Sequence, residues 1–550
     1  MNAKEAPSDG ALESYRQGWT TAGTWGSAER MNDLEAFMWR SERHPHQSST
    51  ITSLMILDQV PDWERLRAAH DWAASLLTAM RRKVLEPVLP VGPPAWVVDP
   101  DFNLDYHLRR AHLPAPGGNA ELLTFTEGAA LAPFDRRRPL WEATLVSGLS
   151  GGRAAYILKV HHSLTDGLGL IQLASLMQSP TREHTPKGSP SPPHAAAEGM
   201  DRYSLAVSEL SDQMFSVPGH TARLVAAQVR LLGKPAETIS AGLRYLGSMR
   251  RTLSPSCPNS PLFRGRTGKD WRFATMDCSF ADLRVAAKAA SGSVNDAYIA
   301  ALLGGLRRYH AHHGLTLDEL PMAMPVSIRK ADDPMGGNKF AGAMFAAPMG
   351  IVDAAERIAT VRGIVLSVRV EPAVDSFSAL TPVLNRSPSG VGALVMRAGA
   401  AADLSASNVP GLPRASYVAG ALVERVYGFG PLPGVAVMAS MNSQNGTACF
   451  GFNIDGSAVP DVPVMVRCME EGLAEVLALA PHRAATTKKS PSGSRSKTAV
   501  KSTAKGATSA TKGTTSKPTK GTTSRSTQAT GKATTTRGKK PAGKAATRRP

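Results

Sequence analysis

Cysteine is scarce: four residues in 550, Cys257, Cys278, Cys449 and Cys468, with no CxxC pair among them. That spacing argues against a structural zinc site and against a disulfide framework, and it fits a reducing cytoplasm. No uncharged apolar run reaches the roughly 18 residues that a membrane-spanning helix needs. The opening stretch MNAKEAPSDGALES has none of the apolar core of a secretory signal. The chain therefore reads as neither integral to a membrane nor exported by that route.

Acid is absent from residues 481–550, which hold 18 Lys and Arg and no aromatic, Leu, Ile or Met. The whole chain has 63 basic and 45 acidic side chains, so residues 1–480 carry 45 of each. The formal charge of +18 and the pI of 9.9 belong to the tail. The folded part has no net charge with which to grip nucleic acid. A segment with so little apolar surface cannot offset the entropy of ordering, so the tail is expected to be disordered. Its charge attracts polyanions, whether phosphodiester backbones or anionic lipid headgroups, and composition does not choose between them.

What remains is a mixture of helical and strand patterns. Residues 1–30 read as a loose N-terminus, and MNDLEAFMWRSE then places Leu34, Phe37 and Met38 at helical spacing. Strand-like STITSLMIL, helical WERLRAAHDWAASLL, and strand-like EPVLPV, WEATLVSG and RAAYILKV follow. The Pro- and Ser-rich run of residues 179–199 reads as a loop, and 203–251 as helical, broken at Pro218 and GKP. A second region has a helix at SVNDAYIAALLGGLRRYHAHHG and strands at LPMAMPVSI and GVAVMASMN. The expectation is an α/β (α+β) protein of two lobes, 31–178 and 266–480, joined by a linker and helical crossover over 179–265.

The most informative stretch is HHSLTDG, His161 to Gly167, at the end of the strand RAAYILKV. Successive strand side chains point to opposite faces, so one histidine is packed inside and the other presented. A presented imidazole suits a general base, Asp166 suits a guanidinium or turn amide, and Gly167 permits a close backbone approach. Ordinary packing is the alternative reading of a bare His pair. No HExxH, HxH or cysteine pair supplies the convergent ligands of a metal site. GLSGG, residues 148–152, matches G-x-S-x-G, but it lies between two strands and reads as a hairpin turn, not a nucleophile elbow. GFGPLPG near Gly428 has the wrong glycine spacing for a dinucleotide fingerprint, and Pro431 and Pro433 disfavour the helix that such a fingerprint opens.

HHxxxDG is the signature of the CoA-dependent acyltransferase superfamily. Further landmarks are PLW (Pro139, Leu140, Trp141), ND (Asn295, Asp296), PVSIR ending at Arg329, GGNKF, and SNVPG (Ser407 to Gly411). With WVVDPDFNLDYHLRR, these make residues 31–479 resemble the bacterial wax ester synthase/acyl-CoA:diacylglycerol acyltransferase family. The resemblance implies two chloramphenicol-acetyltransferase-like lobes with a channel between them. Acyl-CoA would enter it as co-substrate from one side, and diacylglycerol or a long-chain alcohol from the other.

By that resemblance His162 is the base that takes a hydroxyl proton, with His161 and Asp166 in support. Trp141 is expected as a core anchor, Asn295 as a helix cap or a pocket-facing group, and Asn408 as a turn former. Arg329 is expected to pair with Asp166 across the lobes. Lys339, and AYIAALL after the ND landmark, depart from the family pattern and bear on acceptor and acyl-chain preference. Rival readings are a condensation-type domain fed by carrier-protein thioesters and an idle lobe pair that tethers nucleic acid or lipid droplets through its tail. The stretch TARLVAAQVRLLGKPAETISAGLRYLGSMRR has the composition of an interfacial helix pair or of packed helices with a basic face. Both substrates partition into lipid, so a cytoplasmic enzyme peripheral to an anionic membrane or droplet surface is the expected setting.

Overall fold

The structure, a computed structural model, describes residues 25–480 except 44–46, 89–91, 184–200, 209–256, 328–335 and 370–401, within which last span only Thr381 and Asn385 are described. The expected loop over 179–199, the helical crossover, the basic helix pair and the tail fall largely or wholly outside the described residues. So does Arg329, and with it the expected Asp166–Arg329 pair.

The first lobe begins with α1 (Asp33–Ser41), whose start is a capping box. The Asn32 side chain accepts the Glu35 N–H, and the Glu35 carboxylate accepts the Asn32 N–H. Then come β1 (Thr50–Leu57), α2 (Trp63–Leu76), the short pair β2 (Arg82–Leu85) and β3 (Ala95–Val98), β4 (Leu108–His112), α3 (Asn119–Leu131), β5 (Trp141–Ser147), β6 (Ala154–His161) and α4 (Gly167–Met177). The second lobe holds β7 (Trp271–Ser279), α5 (Phe280–Ala289), α6 (Val294–His312), β8 (Glu319–Ser327), β9 (Phe340–Pro348) and α7 (Ala354–Arg369). The chain continues through β10 (Leu404–Val409), β11 (Tyr417–Val418), β12 (Ala421–Phe429), β13 (Val437–Gln444), β14 (Thr447–Asp455) and α8 (Val462–Leu477).

The strands form two mixed six-stranded sheets, ordered β11-β12-β1-β6-β5-β4 and β7-β14-β13-β10-β8-β9. This corrects the division into 31–178 and 266–480: β11 and β12, far along the chain, complete the first sheet. β12 runs antiparallel to β1, with Thr52 opposite Phe429. Because β1 is thereby flanked by β6 and β12 and covered on both faces, all its residues are buried. Ile51, Met55 and Leu57 serve one apolar cluster, and Leu54 and Ile56 another. The expected loose N-terminus is also corrected at its end, where Trp25 is fully buried and donates its indole N–H to the Gly169 carbonyl at 3.1 Å.

In the second lobe α6 runs through the core, with Ala297 to Leu306 all buried, and packs on α8. Their approach is so close that a Cβ on Gly472 would lie 2.4 Å from the Gly305 nitrogen. The lobes meet where Phe273 stacks on Phe429, ring centroids 4.0 Å apart, and where the Glu127 carboxylate accepts the Phe273 N–H at 2.7 Å.

Candidate active site

Strand β6 ends at His161, which pairs with Thr50 of β1, and the chain turns at once into α4. The turn separates the two histidines as strand alternation requires. His161 is fully buried: its Nδ1 accepts the Ser163 N–H at 3.1 Å, and its Nε2–H donates to Glu42 Oε2 at 3.0 Å. Burial pushes the Glu42 carboxyl up, but the hydrogen bond from His161, with the Ser49 N–H and the Arg136 charge beside it, outweighs it and holds the group below its ordinary value.

His162 instead lines a cavity of about 340 Å³ between the lobes. Its Nδ1 lies 2.9 Å from Asn338 Oδ1, and the Asn338 Nδ2 donates to the His162 carbonyl at 2.7 Å. Only the amide NH2 can serve a carbonyl oxygen, so Oδ1 must face the ring and Nδ1 must carry the proton. Nε2 is then the ring's lone-pair nitrogen. Burial, the largest influence, lowers the His162 pKa and keeps the imidazole neutral near pH 7. Phe340 packs against the ring at 5.3 Å.

Asp166 caps α4: its Oδ1 accepts the Gly169 N–H at 2.8 Å, and its Oδ2 accepts the Lys339 N–H from the other lobe at 3.3 Å. Gly167 sits against β10, where an added Cβ would meet Val409 Cγ2 at 3.1 Å.

The PLW landmark lies behind this turn. The Leu140 carbonyl accepts the His161 N–H at 3.0 Å, and Pro139 and Leu140 are buried. Trp141 is fully buried, donates to the Met80 carbonyl at 2.8 Å and stacks on His107 at 4.7 Å, so it is a core anchor and does not line the cavity.

Two expectations are corrected. The cap of α6 is Ser293, in a capping box with Asp296, and Asn295 lies inside the first turn. Asn295 Oδ1 accepts a bond from Asn408 Nδ2 at 3.3 Å. Asn408 is no turn former: it lies on β10 and lines the cavity, because Pro410 and Gly411 end the strand only after Val409. The structure thus brings His162, Asp166, Gly167 and Asn408 to one cavity, with Asn295 beside it, while His161, Pro139, Leu140 and Trp141 support from behind and Asp296 closes the capping box of α6. Sequence reasoning missed Asn338, Glu35 and Glu42 as site residues. GGNKF was a landmark, but nothing local showed that its Asn would reach the His pair.

Ser150 of GLSGG stands exposed in the turn between antiparallel β5 and β6, so no hydrolase elbow forms there. GFGPLPG joins strands β12 and β13, with no helix after it. Among the described residues no cluster of three or more His, Cys, Asp or Glu is placed to hold a metal ion. Among them, too, no helix is long and apolar enough to cross a membrane.

Two family models match the chain: the wax ester synthase/diacylglycerol acyltransferase catalytic domain over residues 31–298, and the corresponding C-terminal domain over 336–476. A Mycobacterium tuberculosis protein provisionally named diacylglycerol O-acyltransferase is 37% identical over 463 residues, covering 83% of this chain and 94% of its own. Another from that organism, with the same provisional name, is 29% identical over 82% of this chain and 91% of its own. Among solved structures, the wax ester synthase/diacylglycerol acyltransferase from Marinobacter aquaeolei VT8 matches with a TM-score of 0.55 at 22% identity, over 82% of this chain and 99% of that one. The first condensation domain of the CDA synthetase shares the fold at a TM-score of 0.52 and 15% identity, over 83% and 98%. The protein is an acyltransferase with two chloramphenicol-acetyltransferase-like lobes. It belongs to the wax ester synthase/diacylglycerol acyltransferase family.

Proposed function

We propose that the chain moves a fatty acyl group from acyl-CoA to the hydroxyl of diacylglycerol, and also to long-chain alcohols, with His162 as general base. The observation that carries this reading is the His162 ring on the cavity wall, its Nδ1 committed to Asn338 and its Nε2 lone pair left for an incoming hydroxyl. Nε2 takes the hydroxyl proton while the oxygen forms its bond to the thioester carbonyl carbon. As the tetrahedral adduct collapses, the C–S bond breaks and the CoA sulfur takes the proton back from Nε2. The ester leaves and the ring is neutral again.

Base assistance of this kind contributes about 10² to 10⁴ in rate. Positioning of both substrates in one cavity supplies much of the rest. The cavity lies within the range of roughly 300–1,000 Å³ usual for small-molecule sites. Purified protein and its His162→Ala variant, given radiolabelled acyl-CoA and diacylglycerol, test the assignment: product formation should fall by about 10² or more, and equal product would remove the base. The polycationic residues 481–550 fit attachment to an anionic bilayer or droplet surface, a reading supported by their composition alone. Full-length and tail-deleted protein, each mixed with anionic vesicles and with DNA across a salt series, would show which polyanion the tail holds.

A further inference from the structure

His162 directly follows the first lobe's β6, whereas Asn338 precedes β9 of the second. The amide therefore reaches the base from across the boundary between lobes. It makes a closed pair of bonds with one residue, accepting from Nδ1–H and donating to the carbonyl of the same histidine. Its remaining donor capacity points at Glu35 Oε1, 3.4 Å away, and its backbone N–H donates to that same oxygen at 3.0 Å. Glu35 is held in turn by the Asn32 N–H at 3.0 Å, the other half of the α1 capping box.

Flipping the amide would set NH2 against Nδ1–H and an oxygen against two oxygens, so one orientation is enforced. The segment leading to Asn338 is pinned as well. Gly336 and Gly337 both have positive φ, 74° and 65°, and a Cβ on Gly336 would meet the Trp25 ring at 3.1 Å. Asn338 and Glu35 are each 5% exposed, so water does not compete for these bonds.

We propose that Asn338, clamped by Glu35, is the positioning residue of the catalytic base: from the second lobe it fixes the Nδ1–H tautomer and the direction of the His162 ring. The proposal rests on the reading of His162 as base. Its consequence is that the base is assembled only when the lobes are docked. The titratable groups around the ring and its clamp are Asp166 at the start of α4, His161 at the end of β6, Glu35 on α1, and Lys339, which follows Asn338 and lines the same cavity.

Asn338→Ala, Asn338→Asp, His162→Ala and the double variant Asn338→Ala/His162→Ala test it, each with its unfolding midpoint measured. Asn338→Ala should lower kcat by about tenfold to a hundredfold with the KM of both substrates little changed, because a misdirected base costs rate and not binding. On the His162→Ala background the same change should cost nothing further, since it acts through a ring no longer there. Asn338→Asp keeps an acceptor for Nδ1–H and adds negative charge. It should therefore raise the pH of the ascending limb of kcat/KM by about one unit, which Asn338→Ala should not do.

A fully active Asn338→Ala overturns the proposal, as does an undiminished loss on the His162→Ala background. If the Ala variant fails to fold, the similarly sized Asp variant decides, and an unshifted limb overturns it. An active His162→Ala overturns the base itself, an outcome distinct from an active Asn338→Ala beside an inactive His162→Ala.

Discussion

The Glu42 carboxylate and the His161 imidazole meet at 3.0 Å behind the turn that presents His162. The pair fixes the buried ring from one side while the Ser163 N–H fixes it from the other at 3.1 Å. His161→Ala removes a buried acceptor and leaves a mostly buried carboxylate short of its partner. The expected cost is about 1–3 kcal/mol in urea unfolding, with turnover reduced because the loosened turn carries the base. Glu42 also has a folded pKa held below its ordinary 4.5. Its contribution to stability is therefore present above about pH 4.5 and lost as pH falls through the lower folded value. Glu42→Gln should flatten that acid limb, as urea titrations at successive pH values would record.

Glu35 has the opposite sign. Burial, the largest influence, pushes its carboxyl from 4.5 to about 7, against the bonds from Asn32 and Asn338, with Asp166 adding repulsion. A raised folded value means that the carboxyl favours the fold fully below about pH 4.5, and that this stability is lost as pH rises toward 7. At 1.36 kcal/mol per pH unit the loss is on the order of 3 kcal/mol. Glu35→Gln cannot ionise, so its stability at pH 8 should fall less, relative to pH 5, than that of the wild type. An equal fall in both proteins would mean that Glu35 does not titrate in this range.

The local features were the ones legible in the sequence. Alternation and β-branching marked β1 and β6, helical spacing marked α1, α2 and α6, and HHSLTDG at a strand end marked the presented histidine. What local pattern could not carry was partnership. The strand β12, ALVERVYGF, was not among those the sequence marked, and nothing within it says that it will lie against β1, whose residues are hundreds of positions away. Asn338 escaped for the same reason, since an Asn among glycines looks like a turn until His162 is placed beside it. The cap of α6 was closer to reach: Ser293 and Asp296 have the spacing of a capping box, a pattern that competes with the reading of the neighbouring Asn295 as cap.

Asp166 joins two structures through one carboxylate, the first turn of α4 and the Lys339 amide of the other lobe. Asp166→Ala should lose the helix cap, about 0.5–2 kcal/mol, and that cross-lobe bond with it. Asp166→Asn can keep an acceptor for the Gly169 N–H, so it should recover most of the stability. Thermal unfolding of both variants, read beside acyl transfer, separates the capping role from any further demand for negative charge at this position.

Gly167 and Val409 bring the lobes into contact beside the cavity. A Cβ on Gly167 would lie 3.1 Å from Val409 Cγ2 and 3.7 Å from Cγ1, so Gly167→Ala forces β10 and the start of α4 apart by a few tenths of an ångström. The backbone opposes that penalty, because Ala favours a helix over Gly by roughly 0.5–1 kcal/mol. Stability should therefore change little while activity falls, since the displaced turn carries His162. Val409→Ala removes the obstructing methyl groups, and the double variant Gly167→Ala/Val409→Ala should regain activity relative to Gly167→Ala alone. Measured as a double-mutant cycle in kcat, the two changes should couple strongly, as contacting residues do by about 0.5–3 kcal/mol. Strict additivity would mean that glycine is required there for a reason other than the room it leaves for the opposite lobe.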